Sequence, residues 1–136
     1  MNAVDTNVLL YVHDPRDRAK QAVAASLLES LADGALLWQV ACEYLAASRK
    51  LEPLGYNLPQ AAQDIRDLHR VWTTLLPNWA VLDHAAQLCK THSLSFWDAM
   101  IIAACLEGNV TRLYSEDLEG MDSLGGLEIV NPFKSA

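Results

Sequence analysis

The stretch Met1-Asn2-Ala3-Val4-Asp5-Thr6-Asn7-Val8-Leu9-Leu10-Tyr11 passes from one apolar run, through three polar residues, into another. Residues 1–4 read as a short buried strand. Asp5, Thr6 and Asn7 supply the capping chemistry for a helix carrying Val8, Leu9 and Val12, which Asp14-Pro15 then breaks. The same alternation continues outward. A second helix over 16–31 repeats Val23, Leu27 and Leu31 at spacing four and is ended by Asp33-Gly34. Residues 35–38 form a buried strand. A third helix over 39–51 places Val40, Glu43, Tyr44, Ala47 and Leu51 on one stripe. After a Pro53- and Gly55-containing loop at 52–57 come helices over 58–75, 78–92 and 95–106, the last closed by Gly108-Asn109. Strands at 112–115 and 128–130 follow, separated by an acidic, glycine-containing loop. Strands divided by helices predict an α/β fold: a short central parallel sheet covered by helices on both faces, as one domain over 1–136.

Composition bounds the function. With 136 residues, 51% hydrophobic and 20% charged, the chain suits one soluble core and excludes wholesale disorder. Its longest uncharged stretch, residues 71–82, is too short to span a membrane and contains Pro77. No Lys or Arg precedes Arg16 and Asp5 interrupts the start, so no secretory signal is read and a cytoplasmic protein is expected. Cys42, Cys89 and Cys105 are odd in number and set among apolar neighbours, which predicts reduced core thiols. Seventeen acids against ten bases give a net charge of -7, so a nucleic acid would need a local basic patch or bridging cations.

Four acids stand where a bland domain would place something else. Asp5 and Asp117 each follow an apolar strand, at the strand ends that line the ligand crevice of open α/β sheets. Glu43 and Asp98 sit on helix stripes that otherwise face the core, where an unpaired carboxylate is costly. If the four converge, their repulsion calls for a cation, and an all-oxygen set suits Mg²⁺ or Mn²⁺ and phosphodiester hydrolysis. Each acid also has a structural alternative. Asp5 can simply cap the next helix, and Ser95-x-x-Asp98 is a capping-box pattern. Glu43 can pair with Arg49, and Asp117 can belong to a turn ahead of Gly120, with Glu116 and Glu119 solvated.

Val4-Asp5-Thr6-Asn7-Val8-Leu9-Leu10-Tyr11, Val40-Ala41-Cys42-Glu43-Tyr44-Leu45, the segment from Leu94-Ser95-Phe96-Trp97-Asp98 to Ala104, and Leu113-Tyr114-Ser115-Glu116-Asp117-Leu118 together resemble the PIN-domain nucleases, in particular the small VapC-type toxin ribonucleases. Ser115 stands where that family usually has Thr. The resemblance implies a Mg²⁺- or Mn²⁺-dependent endoribonuclease with Asp5, Glu43, Asp98 and Asp117 as its acidic site, assisted by Asn7 and Ser115. It also implies an RNA substrate, a homodimer and a cognate antitoxin, whose contact is sought near Leu54, Tyr56 and the third and fourth helices. Arg16, Arg18 and Arg49 are candidates for RNA phosphates and Trp97 for base stacking, against solvated helix ends and packing. Lys20 and Lys50 belong to the same basic groups and could hold RNA phosphates too, with a solvated helix start and a dipole-matched helix end as the alternative readings. His13, His69, His84 and His92 show no ligand spacing and are assigned no chemistry. Rivals are a PIN-fold RNA-processing nuclease outside any toxin system and a non-catalytic PIN-like binding module. A phosphatase would want Asp-x-Asp where Asp5-Thr6-Asn7 stands, and no glycine-rich phosphate loop occurs.

Overall fold

The computed structural model describes residues 1–118 and 123–134. Six strands form one sheet in the order β3-β2-β1-β4-β6-β5. β1 (Asn2–Val4), β2 (Gly34–Leu37), β3 (Thr73–Leu75), β4 (Arg112–Tyr114) and β6 (Leu127–Val130) run parallel. β5 (Ser123–Leu124) lies antiparallel on the β6 edge. From β1 the chain steps outward to β2 and then β3 through α1 (Thr6–Tyr11), α2 (Arg18–Ser30), α3 (Trp38–Ser48) and α4 (Leu58–Val71). It returns across the sheet to β4 through α5 (Trp79–Thr91) and α6 (Phe96–Glu107). Because parallel crossovers are right-handed, steps in opposite directions put their helices on opposite faces. Accordingly α1 to α4 pack on one another, and α5 packs on α6. Every residue of β2 is buried, as are Ala3 and Val4 of β1 and Leu113 of β4, so the core lies on both faces of the central strands. No helix among the described residues is long and apolar enough to cross a membrane.

Where the elements depart from the expected ranges, a specific contact explains it. α2 starts at Arg18 because Asp17 takes the cap and accepts a hydrogen bond from Lys20 N at 3.0 Å, while Asp14 and Arg16 close the preceding turn. Its buried face is Ala24 with Leu27, Leu28 and Leu31; Val23 is exposed. α3 gives way at Arg49 to a 3-10 turn over Arg49–Leu54, which ends at Gly55 in the left-handed region (φ 95°). The expected 58–75 helix stops at Val71, since Trp72 leaves it to be buried and Thr73 and Thr74 pair with Ala35 and Leu36 as β3. β5, inside the expected loop, pairs with β6 across Gly125 and Gly126, both at positive φ. Glu119 and Gly120 lie outside the described residues.

All three cysteines are free, but only Cys105 is fully buried, with burial pushing its pKa up to about 12. Cys89 is half-buried and packs against the core, whereas Cys42 is exposed, which corrects the expectation for Cys42.

Candidate active site

The strand order fixes the crevice. The connection leaving β1 goes to β2 on one side, whereas β4 lies on the other, so the carboxyl ends of β1 and β4 open at the point where the order reverses. Asp5 leaves β1 there, its N–H still donating to Tyr114 O at 2.9 Å, and Ser115 to Asp117 leave β4 beside it. α3 begins directly after β2, with Glu43 in its second turn, and α6 carries Asp98 in its first.

Asp5, Glu43, Asp98 and Asp117 all line one cavity of about 430 Å³, together with Thr6, Asn7 and Lys50. The acids are held individually. Asp5 Oδ1 accepts from Thr6 N at 2.8 Å, as the cap of α1, and Oδ2 accepts from Ser115 Oγ at 2.8 Å. Asn7 Nδ2 donates to Asp117 Oδ2 at 2.7 Å. Glu43 receives Thr6 Oγ1 at 2.8 Å and Gln39 Nε2 at 2.6 Å, and the Gln39 amide also donates to Trp97 O at 3.2 Å, tying the start of α3 to that of α6. Among the described residues no group of three or more His, Cys, Asp or Glu is drawn tightly enough to hold a metal ion as the chain stands. Like charges spread apart unless a cation is placed between them. At Asp5, burial above all raises the carboxyl pKa from its usual range, hydrogen bonds from Ser115 and Thr6 oppose this, and the charges of Glu43 and Asp117 add a smaller rise.

The donor set fits a hard divalent cation, since it is all oxygen and each hydrogen-bonded carboxylate keeps lone pairs free. The Asp98 carboxylate accepts no hydrogen bond among the described residues. Ser95 Oγ accepts from Asp98 N at 3.1 Å, so Ser95 caps α6. Asp98 does not return the bond, whereas Asn57 and Gln60 form a complete capping box at the start of α4. Ser95→Ala should therefore cost about 1 kcal/mol, whereas Asp98→Asn should shift stability by less than about 0.5 kcal/mol in EDTA. Thermal melts that reverse this order would make Asp98 the cap.

The other candidates are dispersed. Arg16 is locked on Asp14 by Nε and Nη2, both at 2.9 Å, and lines a neighbouring cavity. Arg18 and Arg49 are exposed and form no ion pair among the described residues. The pairing of Glu43 with Arg49 that the sequence allowed does not form, because Glu43 is held by Thr6 and Gln39. Trp97 is 63% exposed and packs edge-on against Phe96.

Glu116, expected to be solvated, is instead half-buried. Tyr11 OH donates to it at 2.6 Å and Lys20 Nζ at 2.8 Å, clamping the turn that carries Asp117 onto α1 and α2. Lys20 is thereby an ion-paired residue and not a solvated helix start. Tyr56 is buried, its hydroxyl donating to Asp64 at 2.6 Å and its ring stacked on His13, so it presents no docking surface, although Leu54 nearby stays exposed. Thr6 and Gln39 were missed, although Gln39 stands one helical turn before Glu43, the spacing at which side chains meet.

Residues 3–126 match the PIN domain family. No curated protein matches the chain by sequence. Among solved structures, a toxin-antitoxin complex from Klebsiella pneumoniae is 18% identical, covering 97% of this chain and 98% of that one with a TM-score of 0.72. VapC20 of Mycobacterium tuberculosis, a sarcin-ricin loop cleaving toxin, is 16% identical over 94% and 99% of the two chains, with a TM-score of 0.70. VapBC-1 from nontypeable Haemophilus influenzae is 18% identical over 98% of each, with a TM-score of 0.67. At these identities the likeness is one of fold, and with the family match running through all four acids, the chain belongs to the PIN domain family.

Proposed function

We propose that the chain is a divalent-metal-dependent endoribonuclease, the toxin of a VapBC-type toxin-antitoxin pair, with Asp5, Glu43, Asp98 and Asp117 holding Mg²⁺ or Mn²⁺. The observation that carries the reading is that four acids from four separate segments line one cavity at the strand-order reversal. Membership of the PIN family and the toxin-antitoxin neighbours support it. When bound, the cation supplies an activated water and neutralises charge on the scissile phosphate. The chain's own residues position the acids: Ser115 and Thr6 N orient Asp5, Asn7 orients Asp117, and Thr6 with Gln39 orients Glu43. An antitoxin is the proposed partner and a homodimer the proposed assembly, acting in the cytoplasm.

The test is cleavage of single-stranded RNA by partner-free protein in Mg²⁺ or Mn²⁺, with loss of cleavage in EDTA. Cleavage that persists in EDTA would reject the metal reading. RNA binding without cleavage in either metal would favour the non-catalytic module.

A further inference from the structure

A second cavity, of about 200 Å³, adjoins the acidic one and shares Asn7, Ala47 and Lys50 with it. Leu10, Tyr11 and Leu51 give it apolar wall, and Asp14 and Arg16 line it without reaching the acidic cavity. Two of the five guanidinium N–H donors of Arg16 are spent on the Asp14 carboxylate, and the rest are free to meet a ligand. Asp14 neutralises Arg16, so the pair offers hydrogen bonds without net charge. The charge comes from Lys50, which is exposed, stands where the two cavities meet and forms no ion pair among the described residues. By contrast Lys20 and Arg112 are committed to Glu116 and Glu128. Arg18 and Arg49 are also without an ion pair among the described residues, but neither lines these cavities, whereas Lys50 lines both.

We propose that this second cavity is the subsite for the nucleotide next to the scissile phosphate, with Lys50 holding the adjoining phosphate and Arg16 hydrogen-bonding the sugar or base. The inference rests on the ribonuclease reading above. It selects a single strand, because one residue of the strand must leave its stack to enter a pocket beside the cut.

The experiment is steady-state cleavage of a single-stranded RNA oligonucleotide at fixed Mg²⁺ over a series of KCl concentrations. Lys50→Gln should raise KM roughly fivefold with kcat within about twofold, and should flatten the slope of log(kcat/KM) against log[KCl] by about 0.7. Lys50→Arg should restore both. Fluorescence anisotropy of the same RNA, in the Asp5→Asn background with Mg²⁺, should show the same loss of affinity when Lys50→Gln is added. Unchanged KM, slope and affinity, with wild-type cleavage intact, would overturn the subsite and leave the ribonuclease reading standing. A fall in kcat alone would place Lys50 at the reacting phosphate and also overturn the subsite. Wild-type protein that cannot cleave RNA would overturn both.

Discussion

Asp5→Asn should lower RNA cleavage by on the order of a thousandfold while the protein stays folded. Asn keeps an oxygen for the Thr6 N–H that Asp5 caps at 2.8 Å, and Asn is as good a helix cap as Asp, so α1 survives. Ser115 Oγ, which donates to Asp5 Oδ2, can accept from the new amide instead. Removing the charge should not destabilise the metal-free protein. Burial raises the Asp5 pKa, so the folded state binds this proton more tightly than the unfolded chain, and ionisation at neutral pH works against folding. In EDTA the variant should therefore melt at or above the wild-type temperature. Adding Mn²⁺ should raise the melting temperature of wild type, because a ligand that binds only the folded state stabilises it, and should do little for the variant. Cleavage retained within about tenfold would return Asp5 to a cap alone.

The central strands and the positions of all four acids were legible because each is a local signal: an apolar run ending in an acid, or an acid on an apolar helical stripe. What escaped depends on partners distant in sequence. Glu116 reads as a surface acid until Lys20 and Tyr11 are brought against it from α1 and α2. Thr73 and Thr74 read as helix because no proline or glycine stands between them and α4; their strand character exists only beside Ala35 and Leu36. Glu43 carries a helix-internal partner, Gln39, that was readable from spacing, but its second partner, Thr6, comes from another element. Lys50 looks like a helix-end lysine until the fold sets it between two cavities.

Gly34→Val should cost about 3 kcal/mol of stability, at the upper end of core overpacking. In the sequence Asp33-Gly34 reads as a helix stop, but α2 already ends at Ser30 and Gly34 is the first residue of β2, with no positive φ to require glycine. What requires it is Trp72. A Cβ on Gly34 would overlap the indole at Cδ2, Cε2 and Nε1, and the indole is buried where α4 turns into β3. Neither side has room to yield: β2 is buried along its whole length between β1 and β3, and moving Trp72 pulls on the pairing of Thr73 with Ala35. Chemical denaturation of Gly34→Val, Trp72→Ala and the double variant separates the causes. If the clash is the mechanism, the double variant should be more stable than the sum of the two single losses predicts, because removing the indole makes room for the valine. Strict additivity would trace the cost to the backbone of β2 instead. The β2–β3 edge lies away from the reversal between β1 and β4, so protein that remains folded should keep its kcat.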